Sequence, residues 1–196
     1  MEDIRICYIG DSFVKGTGDP KMLGWAGRLS QMSQGEKREI THYNLGVRRD
    51  TSFDILTRWE MEANVRLPSF SINCVVFSFG VNDTVMENGI VRVPLAQSMK
   101  NTREILGIAK VKYNVVMIGP PPIDDEYQNI RIKSYDEAYA TVCQMLGVNY
   151  LSVFDILYED GTWVEEIKSN DLVHPKENGY ELLSKYIYSW NGWWFS

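Results

Sequence analysis

Cys74-Val75-Val76-Phe77-Ser78-Phe79, stopped by Gly80, is a β-branched and aromatic run that reads as a buried strand. On its N-terminal side, Thr51 to about Arg66 has helical spacing, with Asp50 or Thr51 as the cap and Pro68 as the closure. Before that come a strand candidate over Glu39–Leu45, a helix over Leu23–Met32 ending near Gly35, and a strand over Ile4–Ile9 that stops at Gly10. On the C-terminal side a long helix is expected from about Val93 to Lys112, with Leu95, Met99, Ile105, Leu106 and Ala109 as its apolar face. Val115–Ile118 follows as a strand, halted by Gly119 and three prolines. A helix over Arg131–Leu146, a short strand near Tyr150–Phe154 and a last helix over Glu177–Trp190 complete the series.

Strands alternating with helices of this length specify βαβ units. The expected fold is α/β: a three-layer α/β/α sandwich, flavodoxin-like, whose sheet of about five strands is mostly or fully parallel. No repeat, low-complexity tract or linker divides the chain, so residues 1–196 are expected to form one domain. Apolar residues make up 44% of the sequence, enough for a substantial core. The net charge of −6 comes without a basic cluster, which argues against nucleic acid or an anionic membrane as the main partner. Cys7, Cys74 and Cys143 lack CxxC spacing and sit in apolar surroundings, so they read as reduced core thiols. No apolar stretch is long enough to span a bilayer and Met1-Glu2-Asp3 leads directly into a strand, so a cytoplasmic location is expected.

In open sheets of this kind, ligands sit at the carboxyl ends of the strands. Gly10-Asp11-Ser12 follows the first strand, Asn44-Leu45-Gly46 ends the second, and Gly80-Val81-Asn82-Asp83 follows the third. Asp171-Leu172-Val173-His174 comes just before the last helix. A serine, exposed glycine backbone, a side-chain amide and an Asp/His pair on one rim are the parts of a serine hydrolase. At these four places the sequence resembles the SGNH, or GDSL-type, esterase and acylhydrolase family. The blocks occur in the family's order from residue 10 to residue 175, with Phe13 where the family name implies leucine.

The resemblance implies roles. Ser12 would attack an acyl carbonyl, His174 would take and return the proton, and Asp171 would hold the other ring nitrogen. The oxyanion would be met by the backbone N–H groups of Ser12 and Gly46 and by the Asn82 amide. Phe13, Arg48, Val81 and Val173, beside these blocks, are the expected substrate contacts. The small size and the lack of a lid-like insertion favour short-chain acyl esters as substrates; thioesters, lysophospholipids and acetylated sugars stay open, because the family uses one constellation for all of them, and no cofactor or metal is expected. Each residue also has a plain structural use: Ser12 and Asp171 as caps, Gly46 and Asn82 as turn formers, Arg48 and Arg49 as a solvated helix approach. Asp83 is expected to brace its loop.

Only two histidines exist. His42 lies inside a strand, away from its carboxyl end, and is expected to be a half-exposed structural residue; His174 is the base. Asp124, Asp125 and Glu126 are expected in a solvated loop, and Gly16-Thr17-Gly18 only superficially suggests a phosphate loop. Trp190, Trp193, Trp194 and Phe195 are expected to dock on the body of the protein or at a homo-oligomer interface. Two other functions fit the same fold: a flavodoxin-like FMN or nucleotide-binding module, which would purify yellow with flavin, and a non-catalytic SGNH-like binding protein.

Overall fold

Strand β1 (Glu2–Gly10) is apolar at nearly every position after Arg5 because neighbours flank it on both edges and helices cover both faces. A computed structural model describes residues 1–196. After β1 the chain forms a one-turn helix α1 (Ser12–Lys15), α2 (Gly24–Ser33), β2 (Arg38–Gly46), α3 (Ser52–Asn64) and β3 (Ile72–Ser78). A 3-10 turn (Val81–Thr84) leads into a small antiparallel hairpin, β4 (Met86–Glu87) and β5 (Ile90–Val91). Then come α4 (Leu95–Lys112), β6 (Asn114–Ile118), α5 (Glu126–Leu146), β7 (Asn149–Leu151), α6 (Phe154–Tyr158), α7 (Gly161–Lys168) and α8 (Glu177–Ser189).

The main sheet has the order β2-β1-β3-β6-β7 and every pairing in it is parallel. The expected five-stranded α/β sandwich is what forms. Side chains along each central strand alternate between two cores, as a period of two requires. Ile4, Ile6, Tyr8, Cys74 and Val76 face the core that includes residues of α2, α7 and α8. Cys7, Ile9, Val75 and Phe77 face the one that includes residues of α3, α4 and α5. The chain moves from β1 outward to β2, then returns past β1 to β3, which creates a crevice at the carboxyl ends of β1 and β3.

Several element ends differ from the sequence reading for local reasons. Helix α5 begins at Glu126, five residues early, because Asp125 caps it by accepting the Gln128 N–H at 2.9 Å. Strand β7 stops at Leu151, and Phe154 starts α6 instead of ending a strand. Helices α6 and α7 are too short to leave a readable helical period. Thr51 is the cap of α3, closed as a capping box with Asp54.

The three cysteines are free and buried, and burial pushes each thiol up to about 12. At the C-terminus, Trp193 and Phe195 are buried in the first core, and the Trp193 indole donates to Ser33 Oγ at 2.9 Å. No helix is long and apolar enough to cross a membrane.

Candidate active site

Ser12 is the first residue of α1, directly beyond the end of β1. Asp11 caps this helix: its Oδ1 accepts the Phe13 N–H at 3.0 Å. Ser12 is buried apart from 6% of its surface, and its Oγ lies 2.7 Å from His174 Nε2. His174 Nδ1 lies 2.7 Å from Asp171 Oδ2. The other oxygen of Asp171 accepts the backbone N–H groups of His174 at 2.7 Å and Val173 at 3.1 Å. One carboxylate therefore shapes the turn and aligns the ring. Leu172, inside that turn, is exposed and adopts φ 65°, an uncommon conformation for a residue with a bulky side chain. The His174 carbonyl accepts from Asn170 Nδ2 at 2.9 Å, which ties down the far side of the turn.

Burial lowers the pKa of His174 from its ordinary 6.5; Asp171 works in the opposite direction, and the Arg48 charge lowers it further. Burial alone would raise Asp171, but hydrogen bonds from the His174 backbone and ring, together with the Val173 N–H, hold it below the usual carboxylate range.

Gly46 pairs with Gly10 in the β1–β2 register. A Cβ there would collide with the Lys15 nitrogen and lie 2.7 Å from the Asp11 carbonyl oxygen, so only glycine lets β2 end against α1. The Gly46 N–H donates to Asn44 Oδ1 at 3.1 Å, and the Asn44 amide donates to the Val14 carbonyl at 2.8 Å. Asn82 sits in the 3-10 turn after β3. Its Nδ2 donates to Asp11 Oδ2 at 3.3 Å and to the Asp50 carbonyl at 3.1 Å. Gly80 opens that turn with φ 129°, and a Cβ on it would lie 2.7 Å from the Tyr139 ring. Asp83 is fully buried and braces the loop as expected. It accepts from the Ser52 N–H at 2.7 Å, Ser98 Oγ at 2.5 Å and Tyr139 OH at 3.4 Å.

The four expected substrate contacts divide. Phe13 is buried behind the candidate site, its ring centre 4.9 Å from that of His174 and stacked on Trp163. Val81 is also a core residue, because the 3-10 turn points its side chain inward. Val173 is half-buried against the same core. Arg48 is the exposed member. It lies in a turn closed by Val47 N–H to Gly10 O at 3.0 Å and Asp50 N–H to Val47 O at 3.3 Å. Its neighbour Arg49, at φ 72°, meets Glu87 of the hairpin at 3.5 Å. His42 is exposed on edge strand β2, with its ring edge-on to Tyr8. Gly16 and Gly18 serve the turn between α1 and α2, where Asp19 holds the Lys21, Leu23 and Gly24 N–H groups and pairs with Arg28 at 2.5 Å.

Sequence reasoning did not anticipate the parts played by Asn44, Asp50 and Asp11 around these groups. Asp11 stood in the first motif, but its contact with Asn82 spans 71 positions.

Solved structures of similar fold include the lipase/acylhydrolase from Enterococcus faecalis, with TM-score 0.77 and 23% identity over 96% of this chain and 94% of that one. The acetylxylan esterase Axe2 from Geobacillus stearothermophilus matches with TM-score 0.75 and 17% identity, covering 92% and 90% of the two chains. The esterase EstA from Pseudoalteromonas sp. matches with TM-score 0.71 and 18% identity over 94% of each chain. Among curated proteins, the uncharacterized protein YpmR of Bacillus subtilis is 21% identical, over 95% of this chain and 81% of its own length. The family model for GDSL-like lipases and acylhydrolases matches residues 8–182, and the chain belongs to that family.

Proposed function

We propose that the protein hydrolyses carboxylic esters through an acyl-enzyme on Ser12, with His174 as general base and acid and Asp171 as its orienting carboxylate. The observation that carries this reading is the continuous chain Ser12 Oγ, His174, Asp171, with 2.7 Å at each link. Ser12 Oγ forms a bond to the acyl carbon while His174 Nε2 takes its proton, and the carbonyl π electrons move to oxygen. As the tetrahedral intermediate collapses, the bond to the alcohol oxygen breaks and His174 returns the proton to that oxygen. Water then repeats the sequence on the acyl-enzyme, releasing the acid and Ser12. Asp171 keeps Nδ1 protonated, so Nε2 is the nitrogen with a free lone pair, and it favours the transient imidazolium.

The Ser12 N–H, in the first turn of α1, has no intrahelical acceptor. It meets the oxyanion with the Gly46 N–H and the Asn82 amide. These last two are held by Asn44, Asp11 and Asp50 at rest. They pass to the oxyanion as its charge develops, because a charged oxygen is the stronger acceptor.

Short acyl groups suit the site, since neither Ser12 nor His174 lines any of the larger cavities. A long chain needs an apolar groove to bury it, and none of these cavities is lined by Ser12 or His174. A series of p-nitrophenyl esters from acetate to palmitate tests this reading. Turnover should be fastest with acetate or butyrate and absent in Ser12→Ala. A maximum at the long chains would overturn the acyl preference, and an active Ser12→Ala would overturn the mechanism.

A further inference from the structure

Asp11 is a buried acid, 1% exposed, with no cationic partner. A carboxyl in that position is costly, and capping α1 does not require one, because asparagine or serine caps a helix as well. What a carboxyl offers beyond an amide is a second acceptor oxygen. Oδ1 serves the cap through the Phe13 N–H. Oδ2 accepts from Asn82 Nδ2, whose other hydrogen goes to the Asp50 carbonyl. Both partners of the amide are acceptors, which fixes its orientation with nitrogen facing them and oxygen turned away.

We propose that Asp11 is a positioning residue for catalysis: through its second oxygen it holds the Asn82 amide in the orientation that serves the oxyanion. The proposal rests on Asn82 being an oxyanion donor. At 3.3 Å the bond to Asp11 is the longer of the two that Asn82 makes. Burial, with the nearby Asp83 and Asp50 charges, pushes the Asp11 carboxyl up to about 7 against the pull of the Phe13 N–H.

A double-mutant cycle decides the matter. Asp11→Asn keeps an acceptor for the Phe13 N–H but turns an NH2 group toward the NH2 of Asn82. On p-nitrophenyl acetate it should lower kcat by roughly 10–100-fold with little change in KM, the loss expected when a donor is displaced rather than deleted. Asn82→Ala should cost roughly 10²–10³, and the double variant should be no slower than Asn82→Ala alone. A wild-type kcat in Asp11→Asn, or losses that multiply in the double variant, would overturn the proposal. Wild-type turnover in Asn82→Ala would instead remove the donor role on which it stands. Asp11→Ser, which also retains a cap, provides the same cycle if the asparagine variant melts early.

Discussion

The Ser12 hydroxyl and the His174 imidazole lie 162 positions apart in the chain and meet at 2.7 Å. They meet because β1 and the turn before α8 deliver their ends to the carboxyl end of the sheet. Phe13, one residue beyond the serine, packs under the imidazole and on Trp163. The pair is thus fixed by the core beneath it as well as by Asp171 beside it.

This arrangement separates the two histidines. His174→Ala should lose nearly all turnover, while His42→Ala, a change on an exposed edge strand, should stay near wild type. Steady-state kinetics on purified, folded variants check this. An inactive His42 variant beside an active His174 variant would reverse the assignment.

Asp171→Asn should retain an acceptor for the Val173 and His174 N–H groups, so the melting temperature should change little. Its new NH2 group would face Nδ1 and favour the wrong tautomer. The same substitution in the Ser-His-Asp protease template costs about 10⁴ in kcat, and a loss of that order is expected here. Equal falls in stability and activity would point to a turn residue only.

Activity should depend on the protonation state of His174. His174 must be neutral to accept the serine proton, so kcat/KM rises as pH passes upward through its pKa. Burial, aided by Arg48, holds that pKa below 6.5, and the acidic limb should have its midpoint below that value. Arg48→Gln removes one lowering influence and should move the limb to higher pH. An unmoved or downward-shifted limb would contradict the electrostatic role of Arg48.

Stability depends on a different pair. Asp19 and Arg28 form a buried ion pair that organises the turn before α2. Arg28→Ala strands a buried carboxylate and should cost about 3–5 kcal/mol in urea unfolding. Burial opposes the ionised form of Asp19, but Arg28 and backbone N–H groups outweigh it and depress the folded-state pKa. The stabilisation is therefore present above the unfolded carboxylate value of about 3.9 and lost as pH falls through the lower folded value. A wild-type protein that gains stability on acidification across that range would refute this.

Much of the architecture was legible because β1, β3 and β6 are buried on both faces and carry unbroken apolar runs. The candidate site was legible where a motif followed a strand directly, as with Ser12 and Asn82. Side-chain direction was not. One helical turn after β1 buries Phe13, and the 3-10 turn after β3 buries Val81, although both adjoin the site in sequence. The capture of Gly46 by Asn44 and of Asn82 by Asp11 depends on backbone turns and on long-range approach, which residue spacing does not encode. Asp125 carried a usable cap signal three residues before Gln128, but the acidic run around it masked the helix start.

Labelling with a fluorophosphonate, read by intact mass and peptide mapping, tests whether Ser12 is the nucleophile. One covalent adduct is expected, on Ser12, with esterase activity lost in proportion and no adduct on Ser12→Ala. Equal labelling of the wild type and Ser12→Ala, or an adduct on another residue that abolishes activity, would contradict it.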